Sequence, residues 1–229
     1  FAKVARTFSK NWGVEVLFTP DGGACVDTKK GVIYLPEALS LLDHTSPLAS
    51  VVDGLLDHET GHLDAERRFP AGERPSDMQK AVHAKGGPVG RMSFFLNVME
   101  DIRLEQELAS KYHGVAMNLR AAATWALDRS AKEYAKNRDA FPPLALIVWG
   151  FLARARGDAD LVTWLPATAH AVLDTMPGLI AEASANTTPR GSLELARKLE
   201  AKLVELASPP EAPTEGDEGE GDDTSDKAS

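Results

Sequence analysis

Cysteine is almost absent from this sequence, which narrows the kinds of site that the chain can build. Cys25 is the only cysteine among 229 residues. An internal disulfide and a zinc site made of paired thiolates are therefore both excluded. A chain without disulfides suits a reducing compartment, so we expect a cytoplasmic location.

Long apolar runs and basic stripes are missing as well. The longest apolar run, residues 144–153, is too short to span a bilayer and is followed by Arg154, so it predicts a buried helix. The net charge is −9, but residues 209–229 alone carry −7 of it. The rest of the chain is nearly neutral and has no basic stripe for a phosphate backbone. We therefore expect neither a membrane nor a nucleic acid as partner.

The composition predicts one folded domain over residues 1–208 and an acidic tail over residues 209–229. The tail consists mainly of Glu, Asp, Gly, Thr and Ser, cannot bury apolar area, and is expected to be disordered. Within the domain we expect a small sheet in residues 1–40, two zinc-site helices in residues 46–112, and further helices in residues 113–208. Because the chain begins with Phe1 and not Met, we expect it to be part of a longer protein.

The first forty residues predict a small antiparallel sheet. After a short helix over residues 2–10, the residues from Val14 to Phe18 alternate in polarity and are β-branched or aromatic. Gly-rich turns at residues 21–23 and 29–31 separate this strand from two more. Such a sheet would either offer an edge strand to an extended peptide or simply cover the next helix. The sequence leaves both alternatives open.

The pattern H-E-x-x-H, at residues 58–62, is the strongest functional signal. Residues four apart lie on one face of a helix, so His58 and His62 can bind one metal ion. Glu59 lies about 100° around the helix, beside the ion, where it can take a proton from water as general base. Apolar residues at helical spacing on either side predict a half-buried helix. The metal expected from this pattern is zinc.

A catalytic zinc needs a third protein ligand, and the sequence offers several candidates. An extended motif would need a histidine at position 68, but Arg68 stands there. His83 is a weak alternative. The second long helix, expected over residues 93–112, carries Glu100, which we take as the third ligand. Its neighbour Asp101 would instead orient a ligand histidine through its second nitrogen.

The remaining chain is predicted to be helical over residues 115–137, 142–155, 160–176 with a bend at Pro166, and 188–207. We expect the three tryptophans of this part to be buried, and His170 to be a core histidine. His113 and Tyr112 follow the second zinc-site helix and are candidates for donating to a developing oxyanion. Gly61 predicts either close approach of another backbone or a tolerated packing position.

Two segments together resemble a known family. His58-Glu59-Thr60-Gly61-His62 and residues 97–105, Asn-Val-Met-Glu-Asp-Ile-Arg-Leu-Glu, are similar to the pair H-E-x-G-H and N-x-x-E-D-x-R-x-E. This pair resembles the N-terminal metallopeptidase-like part of CobT-type cobaltochelatase subunits and related proteins, some of them phage-encoded. The close match covers about residues 50–110.

The resemblance implies a zincin-like α+β fold, predominantly helical, in a bacterial or phage-infected cell. It also implies that His58, His62 and Glu100 bind the metal, that Glu59 is the base, and that Asp101 and Arg103 support them. Such proteins typically continue through an acidic linker into a von Willebrand factor A domain and work with a MoxR-type AAA+ ATPase.

Two functions remain open at this point, beside the possibility of a metal-free helical domain that binds no zinc. The first is a gluzincin-like zinc metallopeptidase that hydrolyses peptides or proteins. The second is a zinc-stabilised, non-catalytic interaction module that acts with an AAA+ ATPase in remodelling or metal insertion.

Overall fold

The structure is a computed structural model that describes residues 14–20, 23–40, 46, 48–84 and 89–207. The helix expected over residues 2–10 and the acidic tail 209–229 lie outside the described residues. Within those ranges the fold is predominantly helical with one small sheet, which agrees with the predicted α+β class. No helix in the described part of the chain is long and apolar enough to cross a membrane.

The sheet has three strands, β1 Glu15–Thr19, β2 Cys25–Asp27 and β3 Val32–Pro36. Their order is β1-β3-β2; β1 pairs parallel to β3, and β2 pairs antiparallel to it. The prediction of an antiparallel sheet is therefore wrong, because the sheet is mixed. The most apolar strand, β3, takes the centre, where both of its edges are paired.

The turn between β2 and β3 explains why these two strands form a hairpin. Oδ1 of Asp27 accepts hydrogen bonds from the backbone N–H groups of Lys29 and Lys30, at 3.1 and 3.0 Å. Gly31 completes the turn at φ 71°, a conformation that favours glycine. With one edge of β3 occupied by β2, strand β1 pairs with the other edge. Among the described residues, no strand pairs with the outer edge of β2.

Eight α-helices follow within the described residues. Most of the predicted helices are confirmed to within a few residues, as expected for helix ends. Their bounds are α1 Ala49–Arg68, α2 Pro75–His83, α3 Val89–Lys111, α4 His113–Lys136, α5 Pro143–Arg156, α6 Ala167–Leu173, α7 Pro177–Ala185 and α8 Pro189–Ala207. Three short 3₁₀ segments accompany them, Glu37–Leu39, Arg138–Ala140 and Ala159–Val162.

One predicted helix is divided in the structure. The bent helix expected over residues 160–176 consists of a 3₁₀ segment, Ala159–Val162, and helix α6. Pro166 precedes α6 with an extended ψ of 152°, because its ring disfavours continuation of a helix through this position. Helix α7 was not predicted, although Pro177 at its first position is a typical helix start.

Two hydrophobic cores hold the elements in place. The smaller core lies between the sheet and α1 and includes Ile33, Leu35, Val52 and Leu56. The larger one surrounds α3, with contributions from α2, α5, α6, α7 and α8. The three tryptophans expected to be buried are all half-buried; Trp149 and Trp164 pack against the larger core, and Trp125 is not part of it. Helices α1 and α3 thus belong to different cores. They lie next to each other where α1 carries His58 and His62.

Two glycines of α1 show how its neighbours approach. A Cβ atom at Gly54 would lie 2.2 Å from the backbone oxygen of Asn118 on α4, so the two helix backbones come into close contact there. At Gly61 the nearest atoms belong to the side chains of Leu104 and Leu108, at 2.7 and 2.8 Å. The approach at Gly61 is therefore made by side chains of α3 and not by another backbone.

Candidate metal centre

The two histidines of the motif face a carboxylate on the neighbouring helix. Helix α1 presents His58 and His62 from successive turns, and their Nε2 atoms lie 3.1 Å apart. Asp101 of α3 places Oδ1 3.2 Å from Nε2 of His62 and 3.6 Å from Nε2 of His58. These three side chains are the group among the described residues whose ligand atoms converge closely enough for one metal ion.

The spacing of these three atoms matches tetrahedral coordination. In a regular tetrahedron the ligand–ligand distance is ~1.63 times the metal–ligand bond, which gives about 3.3–3.4 Å for zinc bonds of about 2.0–2.1 Å. The observed distances of 3.1, 3.2 and 3.6 Å lie around that value. Two imidazole nitrogens and one carboxylate oxygen are also a donor set that zinc accepts. The residues present therefore fit a zinc ion.

The geometry favours Asp101, and not Glu100, as the third ligand. The carboxylate of Glu100 accepts hydrogen bonds from Arg103, at 2.8 Å from Nη2 and 3.2 Å from Nε. The Arg103 side chain is 0% exposed, and a buried guanidinium requires a carboxylate partner. Glu100 lines the same cleft as the histidines, but its charge is committed to Arg103. Asp101 therefore faces the two histidines where Glu100 was expected, whereas the hydrogen bonds of Glu100 go to Arg103 and not to a histidine.

Glu105 orients His58 from the opposite side. Its Oε1 lies 2.7 Å from Nδ1 of His58 and accepts a second bond from Nη2 of Arg156, at 2.6 Å. When Nδ1–H of His58 donates a hydrogen bond to Glu105, Nε2 is the ring nitrogen left for a metal, which would displace any proton there, and it lies next to Asp101 and His62. Sequence analysis did not assign a role to Glu105, although it follows Asp101 by four residues and therefore shares its helix face.

The charges around the histidines alter the pKa of His58 and Asp101. Burial acts to lower the pKa of His58, but the hydrogen bond to Glu105 and the negative charges of Asp101, Glu105 and Glu59 raise it to about 9. For Asp101, burial acts to raise the pKa, and the hydrogen bond to His62 with the positive charge of His58 outweighs it and lowers the value. Both shifts reflect cationic and anionic groups held together in a partly buried site.

Glu59 is 5% exposed and lines the same cleft as the metal triad. Burial raises the pKa of its carboxyl group, while the positive charges of His58 and His62 oppose that increase. A carboxylate whose pKa lies above its ordinary value is better suited to take up and return a proton near neutral pH. Glu59 therefore lies in the same cleft as the metal triad, and its role as general base stays a prediction.

The cleft itself is about 410 Å³ in volume and opens beside the edge of the sheet. One wall comes from α1 and α3, and another from residues 24–28 around strand β2. Pro75 and Gln79 of α2 and Asn97 of α3 close a further side, where Gln79 donates to the side-chain oxygen of Asn97 at 2.6 Å. A volume of this size accommodates a few residues of an extended peptide.

The other sequence candidates lie away from the triad. Arg103 donates to Glu100 and Glu107, so it supports the site only through Glu100. His113 begins α4 and is exposed, outside the lining of the cleft. His83, the weak alternative ligand, is exposed at the end of α2. His170 is half-buried and contacts Arg154 through Nδ1 at 3.1 Å.

Comparison of the chain with protein-family models, with curated proteins and with solved structures finds no match. The arguments for function therefore come from the site itself.

Proposed function

We propose that this chain is a zinc-dependent peptide hydrolase whose site consists of His58, His62, Asp101 and Glu59. The observation that supports this most strongly is the convergence of two imidazole nitrogens and one carboxylate oxygen within 4.8 Å of one another. A buried glutamate with a raised pKa lies in the same cleft. Metal-assisted hydrolysis requires residues that hold the metal and a carboxylate nearby that can accept a proton.

In this proposal the protein side chains have separate tasks. His58, His62 and Asp101 would hold the zinc, and Glu105 keeps the His58 ring in the required tautomer and orientation. When bound, zinc would polarise the substrate carbonyl and lower the pKa of a water molecule to about 7. Glu59 accepts the proton of the attacking water and later delivers it to the leaving amine. Burial of Glu59 favours the first of these steps, since it raises the pKa of the carboxyl group and so stabilises the protonated form.

The sheet supplies a surface for the substrate backbone. Strand β2 is at the end of the order β1-β3-β2 and lines the cleft. Its outer edge therefore presents N–H and C=O groups to which an extended peptide can pair. Of the two roles expected for the sheet, this geometry favours substrate binding, although β3 also packs on α1 through the smaller core.

The test is the substitution Glu59→Gln, which keeps the shape of the side chain and removes its basic carboxylate. Zinc-loaded wild type and variant are incubated with a mixed peptide library, and cleavage is followed by mass spectrometry. We expect the variant to lose cleavage by about 10²–10⁴-fold while its zinc content stays at one per chain. Glu73→Gln is the matched control, because Glu73 is exposed and does not line the cleft. Cleavage by Glu59→Gln at the wild-type rate would exclude the mechanism.

A second function is favoured by one other observation. The triad joins α1 to α3, and the Glu105–Arg156 ion pair continues the connection to α5. A metal bound there would stabilise the contact between the two cores without any chemistry. The chain would then be an interaction module, acting with an AAA+ ATPase and a von Willebrand factor A domain. This function predicts that metal removal lowers stability, that wild type cleaves no peptide in the library, and that Glu59→Gln leaves partner binding unchanged.

A further inference from the structure

Acidic side chains outnumber basic ones among the described residues that line the cleft. Four carboxylates line it, those of Glu59, Glu66, Glu100 and Asp101, and no lysine or arginine is among the described residues of its lining. A cleft with one sign of charge concentrates ligands of the opposite sign. This asymmetry is a property of the cleft alone, since the chain without its acidic tail is nearly neutral.

Three of these carboxylates already have a task in the structure. Asp101 faces the two histidines, Glu100 is bound by Arg103, and Glu59 lies beside the histidine pair. Glu66 is different, because its hydrogen-bond donors in the structure are neutral. Its Oε2 accepts from the backbone N–H of Ser76 at 3.1 Å, and its Oε1 from the Ser76 hydroxyl at 2.5 Å.

Glu66 is half-buried and retains acceptor capacity. A carboxylate has about four acceptor positions, and Ser76 occupies two of them. The two bonds fix the carboxylate at the first turn of α2, so it is already ordered before a ligand arrives. A partly buried, ordered carboxylate with free lone pairs is a suitable partner for an ammonium or guanidinium group.

The position of Glu66 relates it to the metal triad. It follows His62 by four residues on α1, which places it on the same helix face about 6 Å further along the axis. A lysine side chain, with its four-carbon stem, spans about one helical turn of 5.4 Å. A basic side chain next to a peptide bond held at the triad can therefore reach Glu66.

We propose that Glu66 selects peptide substrates that carry a lysine or arginine beside the bond placed at the metal triad. This inference rests on the proposed peptide-binding function and adds the substrate class to it. The ionic hydrogen bond favours basic residues, and an acidic side chain at the same place would be repelled by the like charge of Glu66. Ser76 contributes by holding the Glu66 carboxylate in place.

The experiment measures binding of peptide hydroxamates to zinc-loaded protein by calorimetry. The probes are identical except for one side chain, which is lysine, norleucine or glutamate, placed at the first or the second residue from the hydroxamate. We expect the lysine probe to bind about tenfold tighter than norleucine at one of the two positions, as one charge-assisted hydrogen bond provides. The glutamate probe should bind most weakly, and the lysine preference should decrease from 50 to 500 mM salt, since ionic strength screens it.

Glu66→Gln and Asp64→Asn separate this recognition from general electrostatics. Gln keeps an oxygen for the Ser76 N–H bond, so stability and zinc content should remain near wild type while the lysine preference falls to about one. Asp64→Asn removes the same charge from the same helix, but Asp64 lines a different pocket, so the preference should remain. Equal binding of lysine and norleucine probes by wild type, or a preference that survives Glu66→Gln, would overturn the inference.

The outcomes also distinguish this inference from the proposed function. Cleavage of library peptides without a basic preference would refute the role of Glu66 and keep the hydrolase. Selective binding of the lysine probe without any peptide cleavage would keep the role of Glu66 and refute the hydrolase. Salt dependence is measured on wild type, so the inference can fail even if the Glu66 variant does not fold.

Discussion

The neighbouring carboxylates Glu100 and Asp101 allow the assignment of the metal site to be tested by a pair of substitutions. Asp101→Asn removes the charge and one ligand oxygen from the triad. Glu100→Gln removes a charge one position earlier, where the carboxylate is bound to Arg103. Because both residues lie on α3 and line one cleft, a general electrostatic effect would be similar in the two variants. If Asp101 is a metal ligand and Glu100 is not, only Asp101→Asn should lose zinc affinity.

The two substitutions should affect different quantities, zinc affinity for Asp101→Asn and the free energy of unfolding for Glu100→Gln. Zinc binding by four ligands contributes about 10–16 kcal/mol in small sites, or roughly 3–4 kcal/mol per ligand. Asp101→Asn should therefore weaken zinc binding by about 10²–10³-fold and change metal-free stability by at most about 1 kcal/mol. Glu100→Gln should leave zinc affinity within about threefold and lower the free energy of unfolding by about 2 kcal/mol. That value is below the ~3–5 kcal/mol expected for a fully broken buried pair, because Arg103 keeps its bond to Glu107.

The assay combines competition with a chromophoric zinc chelator, which gives affinity, and urea denaturation of the metal-free proteins, which gives stability. The reverse pattern would refute the assignment. If Glu100→Gln loses zinc while Asp101→Asn retains it, the side chains must rearrange when metal binds, and Glu100 is the third ligand as the sequence first suggested.

Three further predictions follow from other contacts. Glu105→Gln should weaken zinc binding by about 10–100-fold in the chelator assay, as loss of a partner behind a ligand histidine does; unchanged affinity would mean that the contact to His58 is incidental. Gly54→Ala should lower the free energy of unfolding, measured in urea, by ~1–2 kcal/mol, because its new methyl group would clash with the backbone of Asn118, and this cost exceeds the gain in helix propensity. Gly114→Ala is the control, because its methyl group would enter open space and should be neutral or stabilising. The hydrogen bond from Arg68, with help from Lys111, lowers the pKa of Glu107 from 4.5 to about 2. Its stabilisation should therefore be complete above pH ~4.5 and decline as the pH falls toward 2. Glu107→Gln should then cost about 1–3 kcal/mol at pH 7 and less at pH 3, and an equal cost at both would contradict this.

The features that the sequence predicts correctly depend on interactions between residues close together in the chain. The i, i+4 spacing of His58 and His62 requires only a helix, and the apolar spacing around them predicts that helix directly. The start of the helix predicted over residues 188–207 is similarly local, since Oγ1 of Thr188 accepts from the backbone N–H of Gly191 at 3.1 Å. Most helix bounds follow from such signals.

The assignment of the third ligand depended on information that the sequence does not contain. Glu100 and Asp101 differ by about 100° around α3, so the choice depends on how that helix is rotated. Its rotation is set by the larger core, in which Phe95, Leu96 and Ile102 are 0% exposed, and by the buried guanidinium of Arg103. Glu105 was recognisable from its i, i+4 relation to Asp101 only once Asp101 had been placed at the site.

The order of the strands could not be predicted from local sequence patterns either. The hairpin of β2 and β3 follows from the turn at residues 28–31, but the parallel pairing of β1 with β3 is a non-local contact. Strand β2 has only three residues, too few for alternation to indicate its partner. The same pairing places β2 at the sheet edge beside the cleft, so the missed topology is the part that bears on function.

The most direct test of the central claim is a crystal structure of the zinc-soaked protein with anomalous diffraction data collected on both sides of the zinc absorption edge. We expect one strong zinc peak, about 2.0–2.2 Å from Nε2 of His58, Nε2 of His62 and a carboxylate oxygen of Asp101. A protein without a zinc peak at these residues, or with zinc bound elsewhere, would contradict both the metal centre and the hydrolase proposed from it.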